Sequence, residues 1–157
     1  MDLDKALSRA AALCSRSEQC ESDIRAKLLR WEVGADEADT IIARLKDEHF
    51  LNEQRYARAF VHDKFLYNGW GPIKLTAMLR QKQVGSEAIT AALDQFSRQD
   101  YRNSLHRLLE VKLRSVSSRE PRLARAALLR FAASRGFDTD MSYNCVKELL
   151  SDHGDLD

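Results

Sequence analysis

An internal repeat is the feature that most constrains how this chain of 157 residues folds. An apolar pair followed by arginine recurs at intervals of 50 residues, as Leu28-Leu29-Arg30, Met78-Leu79-Arg80 and Leu128-Leu129-Arg130. Self-similarity at a period of about 20 to 50 residues is typical of repeat proteins, in which each repeat buries its apolar face against its neighbours. The pattern predicts three tandem repeats, over residues 1–51, 52–97 and 98–157, the last of which ends in an acidic tail.

Apolar side chains recur every three or four residues within each repeat, which indicates amphipathic helices. In the first repeat, apolar stripes begin at Leu7, Ile24 and Ile41, so three helices are predicted there. The chain has 2 prolines and 6 glycines, fewer turn residues than a many-stranded β fold needs. The expected fold class is all-α, with three tandem three-helix repeats that form an elongated, curved helical array.

Several helix ends are predictable from their end residues. Asn52 is a good N-cap, and Leu51 is placed to pack against Tyr56 in the first turn. Pro72 suits the first position of the next helix, where its missing N–H costs nothing. Asp138 is the predicted cap of the last helix.

The net charge of +1 is the sum of segments of opposite sign. The net charge is −3 over residues 1–63, +2 over 64–97, +7 over 98–135 and −5 over 136–157. Residues 64–86 hold four cations and no carboxylate, interleaved with aromatic rings. Cations neutralise phosphates and rings stack on bases, so this pattern indicates a nucleic-acid interface. The alternative is a solvated face that pairs with the acidic segments.

Other function classes lack their characteristic patterns. We find no glycine-rich phosphate loop, no zinc-ligand spacing and no nucleophile motif, so we expect no enzyme activity, no metal and no cofactor. Three cysteines without a CxxC pair indicate a reducing, cytoplasmic environment. The apolar stretches are far shorter than the roughly 20 residues of a membrane span, so no membrane contact is expected.

Two blocks in the middle repeat resemble a known family. Residues 50–60 read Phe-Leu-Asn-Glu-Gln-Arg-Tyr-Ala-Arg-Ala-Phe, residues 69–75 read Gly-Trp-Gly-Pro-Ile-Lys-Leu, and residues 79–84 read Leu-Arg-Gln-Lys-Gln-Val. In order and spacing they resemble the central signature of the RecX regulatory family, and the resemblance extends over residues 4–150. Cys20 stands where that family has a hydroxyl N-cap.

The resemblance implies three three-helix repeats and a non-enzymatic protein that modulates, and mostly inhibits, the RecA recombinase. It leads us to expect a monomer that binds RecA–single-stranded DNA filaments and inhibits ATP hydrolysis, strand exchange and coprotease activity, and so regulates recombination, DNA repair and the SOS response. The predicted contacts to nucleic acid or filament are basic and aromatic residues: Lys64, Tyr67, Trp70, Lys74, Arg80, Lys82, Arg102, Arg107, Arg114, Arg125 and Arg130.

Two other functions are also compatible with the sequence. One is a regulator that binds DNA directly, through a helix pair that acts like a helix-turn-helix. The other is a purely structural helical scaffold. The recurring Arg30, Arg80 and Arg130 have two interpretations as well, because an arginine stem can cover a groove between repeats or take part in recognition.

Overall fold

A computed structural model of the chain describes residues 1–153, except for the side chain of His153, so residues 154–157 of the predicted acidic tail lie outside the described part. The described residues form nine helices and no strand. The all-α prediction is confirmed. The helices are α1 (Leu3–Arg16), α2 (Glu21–Arg30), α3 (Ala35–Asp47), α4 (Glu53–Asn68), α5 (Pro72–Gln81), α6 (Ser86–Leu93), α7 (Arg98–Val116), α8 (Pro121–Ser134) and α9 (Thr139–His153).

The chain divides into two compact units, each assembled from separate segments. Unit 1 contains residues 1–60 and 78–92, and unit 2 contains residues 61–77 and those from 93 onward. Helices α4 and α5 each contribute residues to both units. The repeat boundaries expected after residues 51 and 97 remain a prediction.

Unit 1 has a core formed by the apolar faces of α1, α2 and α3. The buried positions of α1 are small, namely Ala6, Ala10 and Cys14. The facing helices supply large aliphatic side chains such as Leu28 and Leu45, both without exposed surface. Small residues opposite large ones let the helices pack at high density.

Unit 2 is built around α7, which contacts both α8 and α9. A capping box starts α7, because the Ser97 hydroxyl accepts from the Asp100 N–H at 3.0 Å and the Asp100 carboxylate accepts from the Ser97 N–H at 2.8 Å. Phe65 then packs against the rings of Phe96 and Tyr101, at centroid distances of 4.5 and 4.8 Å. This aromatic cluster joins the end of α4 to the first turn of α7.

The predicted helix ends are confirmed. Asn52 Oδ1 accepts from the N–H of Arg55 at 2.9 Å, and Asp138 Oδ1 accepts from the N–H of Met141 at 2.8 Å. Pro72 is the first residue of α5. By contrast Cys20, the N-cap of α2, makes no side-chain capping bond.

The three arginine triplets do not occupy equivalent positions. Helices α2, α5 and α8 are each followed, after one intervening residue, by a residue in the left-handed region, and these residues are Glu32, Gln83 and Gly136. The next residue is buried, and its N–H bonds to the carbonyl five residues earlier: Val33 to Leu28, Val84 to Leu79 and Phe137 to Ala132. Aligned on these turns, Arg30 corresponds to Gln81 and Ser134, not to Arg80 and Arg130. Relative to these turns, Arg80 and Arg130 are displaced from the position of Arg30 by one and four residues.

Candidate nucleic-acid interface

Trp70 lies beside two lysine ammonium groups in unit 2. The chain leaves α4 through Gly69, at φ 67, and the N–H of Trp70 donates to the carbonyl of Lys64 at 3.2 Å. This turn places Lys64 Nζ 5.2 Å and Lys74 Nζ 4.5 Å from the centroid of the indole ring. Cation–π attraction holds both ammonium groups next to the ring. Three of the predicted contact residues thus form one local group, which we call the Trp70 cluster.

The loop that carries Trp70 is held by the turn after α8. The N–H of Gly71 donates to the carbonyl of Arg135 at 2.7 Å, and the N–H of Ile73 donates to the carbonyl of Gly136 at 2.9 Å. These two bonds join the start of α5 to the end of α8 within unit 2. The backbone under the Trp70 cluster is therefore preorganised.

A groove in unit 2 brings together two further predicted residues, Tyr67 and Arg107. It has a volume of about 620 Å³ and lies between the end of α4, the middle of α7 and the end of α8, and we call it the α4–α7–α8 groove. Arg107, Lys112 and Arg135 line it, and none of the described lining residues carries a carboxylate. The groove is therefore cationic, and Tyr67 at its edge is 78% exposed.

Ion pairs divide the remaining predicted residues into two groups. Arg102 pairs with Glu148 at 2.5 Å in unit 2, and Lys82 pairs with Asp23 at 3.0 Å in unit 1. Their charges are partly neutralised by the protein itself, which weakens them as phosphate contacts. The other predicted residues are exposed and make no ion pair within the described part of the chain: Arg80, Arg114, Arg125 and Arg130.

Lys112, Phe131 and Arg135 contribute charge and an aromatic ring to the groove and were not among the predicted contacts. Lys112 Nζ lies 5.5 Å and Arg135 Cζ 5.0 Å from the centroid of the Phe131 ring. Arg135 also donates to the carbonyl of Asn68 at 3.0 Å. The charge of +7 over residues 98–135 includes both cations, but only the fold shows that they share one aromatic ring.

Unit 1 offers a contrasting pocket of about 400 Å³ beside the first turns of α2 and α4. Its two lysines are both engaged, Lys46 with Glu21 and Lys82 with Asp23. Burial raises the pKa of Tyr56, which lines the same pocket. This pocket thus has no unpaired lysine, whereas the unpaired arginines of α7 and α8 lie in unit 2.

Neither a metal-ligand cluster nor a membrane-spanning helix is found among the described residues. No three or more histidine, cysteine, aspartate or glutamate side chains gather there in a way that suits a metal ion, and no described helix has the length and apolarity to cross a bilayer. Cys14, Cys20 and Cys145 are buried and outside disulfides. Burial raises the pKa of the Cys14 and Cys145 thiols, which keeps both protonated at neutral pH.

Known proteins resemble this chain along most of its length. The model of the RecX first three-helix domain matches residues 6–45, and that of the RecX second three-helix domain matches residues 52–93. The regulatory protein RecX of Oceanobacillus iheyensis is 24% identical over 147 residues, which are 94% of this chain and 54% of that protein. The regulatory protein RecX of Acinetobacter baylyi is 26% identical over 145 residues, 92% of this chain and 88% of that protein. The chain therefore spans little more than half of the first relative.

Solved structures share the fold. A crystal structure of regulatory protein RecX superposes with a TM-score of 0.85 at 24% identity, over 93% of this chain and 71% of that one. RecX from Lactobacillus salivarius superposes with a TM-score of 0.83 at 20% identity, over 94% and 96%. The two matched domains, the relatives and the shared all-helical fold together show that this chain belongs to the RecX family.

Proposed function

We propose that the chain is a non-enzymatic regulator of homologous recombination and DNA repair that binds RecA–single-stranded DNA filaments and inhibits ATP hydrolysis, strand exchange and coprotease activity. It acts in the cytoplasm, as a monomer, and takes part in the SOS response. Membership of a family whose proteins are named regulatory protein RecX supports a regulatory role.

The observation that carries the proposal is the group of cations on unit 2, in the Trp70 cluster and on α7 and α8. The Trp70 cluster contains Lys64 and Lys74, and Arg114, Arg125 and Arg130 are exposed and make no ion pair with any residue that the structure describes. Cations that meet phosphates release condensed counterions, which favours binding most at low salt. The chain then acts by occupying the filament, and no covalent step is needed.

Sedimentation with preassembled RecA filaments on single-stranded DNA tests the proposal. We expect the chain to sediment with the filaments, and we expect Lys74→Glu or Arg125→Glu to weaken binding by about tenfold at roughly 50 mM salt. Lys147→Glu is the matched control, because Lys147 is an exposed lysine of α9 that makes no ion pair among the described residues. A chain that stays in the supernatant contradicts the proposal.

Binding to duplex DNA in the absence of RecA separates this function from direct reading of duplex DNA. In a helix-turn-helix, the second helix places polar side chains against base edges in the major groove. Here α5 exposes the apolar Ile73 and Ala77, and its exposed polar residues, Arg80 and Gln81, lie only in its last turn, so it has no run of base-reading side chains along one face. Sequence-specific binding to duplex DNA in the absence of RecA would favour the direct reader instead.

A further inference from the structure

We propose that the α4–α7–α8 groove binds a protein segment in which carboxylates flank apolar side chains, and that this segment belongs to the recombinase. This inference rests on the proposed function, in which the partner is the RecA–single-stranded DNA filament. The groove then contacts the recombinase polypeptide of that filament and not the DNA.

The first argument is the exposure of apolar side chains around the groove. Leu66 is 51% exposed, Tyr67 is 78% exposed and Val111 is 62% exposed, and all three line it. Single exposed apolar side chains are ordinary on protein surfaces. Three of them beside one concave groove form a patch of the kind that marks interaction sites, because covering it removes apolar surface from water.

The second argument is the sign of the charge. Arg107, Lys112 and Arg135 line the groove, and no described carboxylate opposes them there. A partner segment with carboxylates is therefore attracted, while a basic segment is repelled. Tyrosine, phenylalanine and arginine together are also the residue types that are enriched at protein interfaces.

A third argument favours a protein over a nucleic acid as the occupant. Two of the three cations are held by the groove itself: Lys112 and Arg135 both lie over the Phe131 ring. Arg135 also donates to the Asn68 carbonyl. Only Arg107 of the three is exposed, whereas a phosphate backbone is bound by several cations. The aliphatic side chains of Leu66 and Val111 suit an apolar partner side chain better than a base or phosphate.

Substitution at Val111 tests the groove in the full-length chain. Val111→Glu should weaken binding to preassembled RecA filaments by about tenfold or more, because it removes apolar surface and repels carboxylates. Val111→Lys should weaken binding less, since it removes the same surface but keeps the sign of the charge. Tyr143→Glu is the matched control, because Tyr143 is 58% exposed on α9 of the same unit and lies outside the groove lining. Equal binding by the wild type and both Val111 variants would overturn the assignment.

Photo-crosslinking identifies the occupant. A benzophenone side chain at position 111 in the filament-bound protein should attach to the recombinase polypeptide, at a segment with carboxylates, and the same group at position 143 should not. Attachment to the DNA strand, or no attachment from position 111, would overturn the assignment of the groove. The proposed function would still stand in either case if the chain binds filaments. A wild-type chain that does not bind filaments would overturn both.

Discussion

Gly71 packs so closely against Gly136 that a Cβ on Gly71 would lie 2.6 Å from the Gly136 carbonyl oxygen. Gly136 has φ 92, and a Cβ there would lie 2.3 Å from the Cβ of Lys74. Both contacts are within unit 2, and they join the loop of Trp70 to the turn after α8. The position of the Trp70 cluster therefore depends on two residues without side chains.

Gly71→Ala should destabilise the chain by about 1 to 3 kcal/mol, because the methyl group meets backbone that moves only with the whole turn. Urea unfolding followed by circular dichroism measures the change. Tryptophan fluorescence should change as well, since Trp70 is the next residue.

Gly34→Ala is the control for that variant. Nothing lies within 4 Å of a Cβ at position 34, so the expected cost is below about 1 kcal/mol and comes from a weaker N-cap of α3. Equal stability of the Gly71→Ala variant and the wild type would contradict the close approach.

Lys74 and Lys82 should differ in their effect on filament binding. Lys82 is paired with Asp23, whereas Lys74 makes no ion pair in the described part of the chain and lies over Trp70. Lys74→Gln should reduce the dependence of log affinity on log salt by about 0.7 if it removes one phosphate contact on a single strand. Lys82→Gln should leave that slope unchanged. Binding measured at several salt concentrations gives both slopes, and identical slopes for the two variants would be the contrary result.

Tyr101 should make stability fall at alkaline pH. Burial raises the pKa of its phenol from 10.0 to about 12, and the hydroxyl donates to the Leu93 carbonyl at 2.8 Å. The folded pKa is the higher one, so this contribution is complete below pH 10 and is lost as the pH rises through 12. Two units of pKa correspond to roughly 2 to 3 kcal/mol.

Tyr101→Phe supplies the comparison for that pH dependence. The variant should be less stable near neutral pH by about 1 kcal/mol through the lost hydrogen bond, and its stability should fall less between pH 10 and 12. Urea unfolding at several pH values measures both curves. If the free energies of unfolding of the wild type and the variant fall in parallel between pH 10 and 12, Tyr101 is not the cause of the alkaline loss of stability.

Arg55 should stabilise unit 1 more than an ordinary surface arginine. Its guanidinium pairs with Glu18 and donates to the carbonyls of His49 at 3.0 Å and Phe50 at 3.2 Å. Arg55→Met should therefore cost about 1 to 2 kcal/mol. Arg44→Met removes only an exposed pair with Glu48 and should cost at most about 0.5 kcal/mol. Denaturant unfolding of both variants makes the comparison, and equal losses would count against the bonds to the two carbonyls.

Helix ends were predictable because their chemistry is local. The cap at Asn52 involves the N–H of a residue three positions away, and the same is true of Asp138. Pro72 needs no partner at all to favour the first position of a helix. The family resemblance then supported the all-helical repeat fold.

Pairings across long stretches of sequence were not predictable. Lys82 belongs to a basic stretch, but its partner Asp23 lies 59 positions earlier. The α4–α7–α8 groove likewise depends on Tyr67, Arg107 and Phe131, which come from three different helices. The triplets recur every 50 residues, whereas the left-handed residues Glu32, Gln83 and Gly136 are 51 and 53 residues apart, a difference that only the backbone conformation reveals.

The rate of RecA ATP hydrolysis on single-stranded DNA tests the central claim most directly. Titration of this chain into preassembled filaments should lower the rate to a low plateau, and Lys74→Glu should require more protein than Lys147→Glu to reach it. A rate that stays unchanged up to a large excess of the chain, with RecA active throughout, would contradict the account.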